Sequence, residues 1–131
     1  MFSLTIPVYR NESSIPFLMP VLEDLNRRMG GDLEVVFVVD GSPDRCAELL
    51  ADALPQSAFE SQLIVLSRNF GAFAALTPGL AAARGHLLAI MAADLQEPPE
   101  LILDIRRQLE TGQYDVVVGT RRRRADPFAT R

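Results

Sequence analysis

The sequence predicts an α/β domain on a mostly parallel sheet with helices on both faces. Three observations predict it. Five short apolar runs alternate with longer segments of helical character. Several runs are apolar almost throughout, Val35-Val36-Phe37-Val38-Val39 most clearly, which is the pattern of strands buried on both faces. Most of the segments between them begin at Ser, Asp or Pro or stop at Gly, the usual punctuation of helices.

The first run covers residues 4–9. Behind it, Ser13-Ser14-Ile15-Pro16 starts a helix, Leu18, Val21, Leu22 and Leu25 recur at helical spacing, and Gly30-Gly31 ends it. The second run, 33–39, is followed by Ser42-Pro43-Asp44, which supplies a cap and a proline ahead of a helix over 46–53. The third run is 63–67. The alanine-rich segment 70–84 then reads as a helix ending at Gly85, with Phe70 and Phe73 expected in the core. The fourth run is 87–91, and 98–111 opens with prolines and acids and stops at Gly112. The fifth run is 115–119. The order is β-α-β-α-β-α-β-α-β, with right-handed crossovers expected. The tail RRRRADPFATR closes no element, so residues 1–131 are expected to be one domain at the front of a longer protein.

Composition narrows the function classes. A chain of 131 residues that is 48% hydrophobic and 23% charged suits one globular domain. Its net charge of −4 offers no field for nucleic acid. All 13 basic residues are Arg, and four of them stand together at Arg121–Arg124. The lone Cys46 has no disulfide partner in the chain and reads as a small buried residue in a reducing compartment. The N-terminus has no basic, apolar leader, and the most apolar window, 79–93, is interrupted by Arg84 and His86. His86 reads as a surface histidine at a strand edge.

The polar chemistry gathers after the strands. Pro7-Val8-Tyr9-Arg10-Asn11-Glu12 follows the first run, Asp40-Gly41-Ser42-Pro43-Asp44 the second, Ala92-Ala93-Asp94-Leu95-Gln96-Glu97 the fourth and Gly119-Thr120-Arg121 the fifth. Ligands of open parallel sheets bind at the carboxyl ends of the strands, so this clustering suits a nucleotide-type site. Each candidate also has a plainer reading. Asp94 could cap the following helix, Asp40 could form an Asx-turn before Gly41, Arg68 and Asn69 could be a solvated strand end, and the arginine run could be a solvated charge run or an attraction to an anionic membrane.

IPVYRNE, VVDGSPD, LSRNFGAFAAL, AADLQEPPEL and VVVGTR occur in the order seen in inverting family 2 glycosyltransferases, and nearly the whole chain resembles that family. The closest branch is similar to dolichyl-phosphate mannosyltransferases and bacterial polyprenyl-phosphate glycosyltransferases. The resemblance implies a Rossmann-like GT-A fold, a UDP- or GDP-linked sugar donor, a divalent metal (Mg²⁺ or Mn²⁺) and a polyprenyl-phosphate acceptor, at the cytoplasmic membrane face in the full-length protein. It also implies roles. Asp94 and Gln96 match the metal-side part of the DxD motif. Pro7, Tyr9 and Asn11 or Glu12 match the loop lining the nucleotide, Asp40 and Ser42 the loop holding base and ribose, and Arg68 and Asn69 the SRNFG segment, with Ala93 and Asp94 beside them. Arg121 and Arg124 match arginines facing the acceptor phosphate, and with Asp94 they make the catalytic set.

The chain departs from that pattern at three places. Val39 stands where the family has the first of two acids, Ala92 replaces the first acid of the DxD motif, and Ala72-Phe73 stand where many relatives have Lys and Glu. A degenerate, non-catalytic nucleotide-binding or assembly domain is therefore the alternative. A flavodoxin-like signalling domain with Asp40 in an acidic pocket is a second one, against which the ADLQEPPE loop argues. In the family the acceptor wall lies further along the chain. A piece without it is expected not to turn over, and its exposed apolar surface would favour a homo-oligomer.

Overall fold

The computed structural model describes residues 1–120. Four strands form one sheet: β1 (Phe2–Val8), β2 (Leu33–Val39), β3 (Glu60–Val65) and β4 (Leu87–Ile90), in the order β3-β2-β1-β4 and all parallel. Among these residues three helices connect them, α1 (Ile15–Arg28), α2 (Cys46–Ala53) and α3 (Ala72–Ala82), and α4 (Pro99–Glu110) follows β4. The chain winds outward from β1 through β2 to β3 and then resumes on the other edge of β1 as β4, so the crevice between β1 and β4 is where such a sheet opens to a ligand.

Alternation along β1 and β2 divides the interior in two. Phe2, Leu4, Ile6 and Val8 of β1 and Leu33, Val35, Phe37 and Val39 of β2 share a core with Leu18, Leu22 and Leu25 of α1, Leu50 of α2 and Ile102 of α4. Ser3 and Thr5 of β1 and Glu34, Val36 and Val38 of β2 are buried under the opposite face, where α3 lies alone. Helices thus cover both faces, three against one.

Each helix follows from local sequence. Pro16 sits in the first turn of α1, where a missing N–H costs nothing. Gly30 and Gly31, at φ of 69° and 81°, turn the chain out of α1 while their N–H groups bond back to Arg27 and Asn26 carbonyls at 3.0 and 2.8 Å. In α3 the sheet-facing residues are small. A Cβ on Gly79 would stand 2.5 Å from Thr5 Cγ2 and 2.8 Å from Val38 Cγ2, so only glycine lets this helix lie so close.

Three expectations need correction. Phe70 and Phe73 are not core residues; they are 48% and 90% exposed. The buried stripe of α3 is Ala75 and Gly79, four residues apart, and Phe73 falls off that stripe. The helix starts at Ala72 rather than residue 70 because Gly71, at φ of 97°, lies outside the helical region; its N–H and that of Phe70 go to Asp40. The fifth apolar run, 115–119, is not a strand among the described residues. Strand geometry is sustained by a neighbour's ladder bonds, and this segment makes none with β4. It runs beside an apolar groove lined by Leu88, Ile90, Leu101 and Ile105, with Val116 and Val118 largely exposed.

Candidate functional site

The first and fourth strands are neighbours, and their trailing loops meet that of β2 across one cleft of about 420 Å³. Pro7 comes from the end of β1, Tyr9 and Asn11 from the loop after it, Asp40 from the loop after β2, and Ala92, Ala93 and Asp94 from the loop after β4. The fourth side is the segment ahead of α3, contributing Asn69, Gly71 and Ala72. Sequence reasoning named Asn69 only through the SRNFG motif and gave Gly71 and Ala72 no role, since a wall of backbone leaves no side-chain signal.

The β1 and β2 loops are braced by exposed and half-buried polar contacts. Asn11 Oδ1 accepts the Tyr9 N–H at 2.9 Å, and Ser42 Oγ accepts the Arg10 N–H at 2.8 Å. Asp44 accepts N–H groups from Glu12 at 3.3 Å and Cys46 at 3.2 Å, as well as the Ser42 hydroxyl. Burial pushes the Asp44 carboxyl up, but these hydrogen bonds outweigh it and bring it down to about 2. Burial, with Asp44 alongside, raises the Cys46 thiol to about 11, so it stays a protonated, unreactive group. Ser42 and Asp44 therefore brace the β1 loop from behind and do not line the cleft.

Asp40 is 2% exposed. Its Oδ1 accepts the Phe70 N–H at 2.8 Å, and its Oδ2 accepts the Gly71 N–H at 3.0 Å and Asn69 Nδ2 at 3.2 Å. Across the cleft, Asp94 is exposed, with Oδ1 accepting the Gln96 N–H at 3.2 Å. Leu95 between them has φ of 60°, and Arg10 in the β1 loop has φ of 54°. These are the only non-glycine residues with positive φ among the described residues, and both lie in cleft loops, where backbone strain tends to be kept.

The remaining site candidates lie beside the lining or beyond view. Arg68 stacks on the Phe70 ring with its guanidinium carbon 4.7 Å from the centroid, at the rim. Glu12, Ser42 and Gln96 border the lining without entering it. Arg121 and Arg124 lie outside the described residues. No group of three His, Cys, Asp or Glu side chains gathers as a metal cage among the described residues.

Comparisons with known proteins converge. The family model described as "Glycosyl transferase family 2" matches residues 3–131. An undecaprenyl-phosphate 4-deoxy-4-formamido-L-arabinose transferase of Pseudomonas paraeruginosa is 40% identical over 126 residues, which is 96% of this chain and 37% of that protein. The Aeromonas hydrophila transferase of the same name is 37% identical over 130 residues, 98% of this chain and 39% of its own length. The chain thus spans under two-fifths of these relatives. Two solved structures share the GT-A fold. S. aureus TarS 1–349 matches at TM-score 0.69 with 22% identity, over 84% of this chain and 32% of its own. A mannosyltransferase of Pyrobaculum calidifontis, in complex with GDP-Man and Mn²⁺, matches at 0.68 with 21% identity, over 82% and 32%.

Proposed function

The chain belongs to glycosyl transferase family 2, and we propose that it forms the donor-binding half of an enzyme moving a sugar from a nucleotide diphosphate to a polyprenyl phosphate. One observation carries the proposal. Loops from the carboxyl ends of β1, β2 and β4, with the segment ahead of α3, enclose a single cleft, in a chain whose relatives are named undecaprenyl-phosphate 4-deoxy-4-formamido-L-arabinose transferases.

The chemistry is an inverting displacement. An oxygen of the acceptor phosphate bonds to the anomeric carbon, the bond from that carbon to the diphosphate oxygen breaks, and its electron pair leaves with the nucleoside diphosphate. A phosphate acceptor is already ionised, so positioning matters more than a strong base. Pro7, Tyr9, Asn11 and Glu12 flank the nucleotide on one side. The segments carrying Asp40, Ser42 and Arg68 bound its base and ribose end, and Ala93 and Asp94 face its diphosphate.

Charge in the cleft points to a cation. Two carboxylates, Asp40 and Asp94, line it, and no Arg or Lys does among the described residues. An anionic diphosphate needs positive charge there. Asp94 and the Gln96 amide are hard oxygen donors that suit Mg²⁺ or Mn²⁺, which take one or two carboxylates and complete their shell with substrate phosphates and water. Such an ion, when bound, would stabilise charge building on the leaving diphosphate. The Mn²⁺ and GDP-Man of the Pyrobaculum calidifontis mannosyltransferase support this reading. Arg121 and Arg124 are proposed to take the acceptor phosphate through their planar forks. No helix among the described residues is long and apolar enough to cross a membrane, and work at the cytoplasmic membrane face belongs to the proposal.

Ala92 favours a second reading, a domain that binds nucleotide without transferring sugar, because it removes one carboxylate from the motif. A transfer assay separates the two. With radiolabelled UDP- and GDP-sugars and polyprenyl phosphate, the enzyme reading expects label in the lipid, lost in Asp94→Ala. Nucleotide binding with no label transferred by the full-length protein would favour the second reading.

A further inference from the structure

We propose that Asp40 is a positioning residue that holds the 69–72 wall of the cleft, and that it acts on the nucleotide through that wall instead of touching it. The inference rests on the donor-cleft reading for its functional consequence but not for its structural claim.

Both oxygens of the Asp40 carboxylate are already engaged by one short segment: Oδ1 by the Phe70 N–H, Oδ2 by the Gly71 N–H and the Asn69 amide. Asn69 Nδ2 also reaches the Asp40 carbonyl at 3.1 Å, so one side chain is gripped twice. Gly71, the residue before α3, has φ of 97° and no side-chain cap of its own. From just past β2, Asp40 instead grips the N–H groups of Phe70 and Gly71 immediately ahead of the helix, its negative charge beside the positive end of α3. The neighbouring residue gives independent support. Gly41, at φ of 60°, lies so tightly against the 68–69 backbone that a Cβ there would overlap the Arg68 carbonyl carbon and the Asn69 nitrogen. Asp40-Gly41 is thus a seat shaped for this segment, and the segment is a wall of the cleft.

The substitution Asp40→Asn preserves size and removes one acceptor, leaving an amide N–H pressed against a backbone N–H. Hydrogen exchange on the ligand-free protein should then show the Phe70 and Gly71 amides, with the first turn of α3, exchanging at least about tenfold faster, while β1 and β2 stay protected. UDP or GDP binding, measured with Mn²⁺, should weaken by a similar factor. Gly41→Ala, which leaves the carboxylate in place and displaces the segment, should reproduce both effects. If 69–72 exchange is unchanged in Asp40→Asn while nucleotide affinity falls, Asp40 contacts the ligand directly and the proposal is overturned. If Gly41→Ala loosens nothing, the seat is not what holds the wall. A wild-type protein that binds neither nucleotide would sink the donor reading, and the exchange result would still decide whether Asp40 holds the wall.

Discussion

Strand β2 carries a buried carboxylate at each end, and the two ends of α3 are held by them in different ways. Glu34, at the start of the strand, accepts the Arg84 N–H at 2.9 Å just past the end of α3, the Arg84 guanidinium and the Gln62 amide at 2.8 and 3.1 Å, and the Ser3 hydroxyl at 2.8 Å. Asp40, one residue past the end of the strand, holds the N-terminal approach to α3 with backbone N–H groups and one amide. Both side chains lie under α3, since positions 34, 36, 38 and 40 share that face. The Glu34 end is neutralised by a cation and remote from the cleft. Among the described residues the Asp40 end has no cation, and it opens onto the cleft. The same residue class, on one strand, serves the fold at one end and the site at the other.

The largest expected effect breaks the Glu34 end. Glu34→Ala strips partners from Ser3, Gln62 and Arg84 at once and should cost roughly 2–4 kcal/mol in denaturant unfolding. Nucleotide affinity of the folded protein should stay within about twofold; a fall as large as that of Asp40→Asn would erase the contrast. Arg84→Ala should cost less, about 1–3 kcal/mol, because the guanidinium is 58% exposed, yet the Glu34 carboxylate it leaves is buried and keeps only its other hydrogen bonds.

Midway along α3, Gly79→Ala should destabilise by about 1–3 kcal/mol, since the methyl meets Thr5 and Val38 and the helix must lift. A lifted helix should loosen both ends equally in hydrogen exchange, unlike either carboxylate variant.

Acid sharpens the comparison further. Burial pushes the Glu34 carboxyl up, but the four hydrogen bonds outweigh it and hold it below the ordinary value of 4.5. Its folded-state value is therefore depressed. The stability it confers is complete above 4.5 and is lost as pH falls through the lower folded value. Unfolding midpoints measured below pH 5 should fall more steeply in the wild type than in Glu34→Gln; parallel curves would remove Glu34 from the acid response. The smallest effect concerns Cys46. Buried, with its thiol raised to about 11, it should resist alkylation at neutral pH until the protein unfolds.

Much of this architecture is legible in the sequence because periodicity carries it. The β2 run 33–39 and the helix 46–53 match their observed spans, and the β1, β2 and β4 loops meet where a parallel sheet requires. What periodicity cannot carry is pairing across distance. Nothing local in 115–119 tells whether a neighbour's ladder will accept it. Nothing in FGAFAAL tells that Ala75 and Gly79, not the two phenylalanines, face the sheet. Asp40 reads as a ligand or an Asx-turn because its actual partners are N–H groups some 30 residues on, which leave no mark in composition.

The central claim is a donor cleft that works through Asp94 and a divalent cation. Calorimetry of UDP and GDP binding, with and without Mn²⁺, on the wild type and Asp94→Ala tests it directly. At least one nucleotide should bind, and its binding should weaken about tenfold or more when either Mn²⁺ or the Asp94 carboxylate is removed. Equal affinity in Asp94→Ala with Mn²⁺ present, or no binding of either nucleotide, would contradict it.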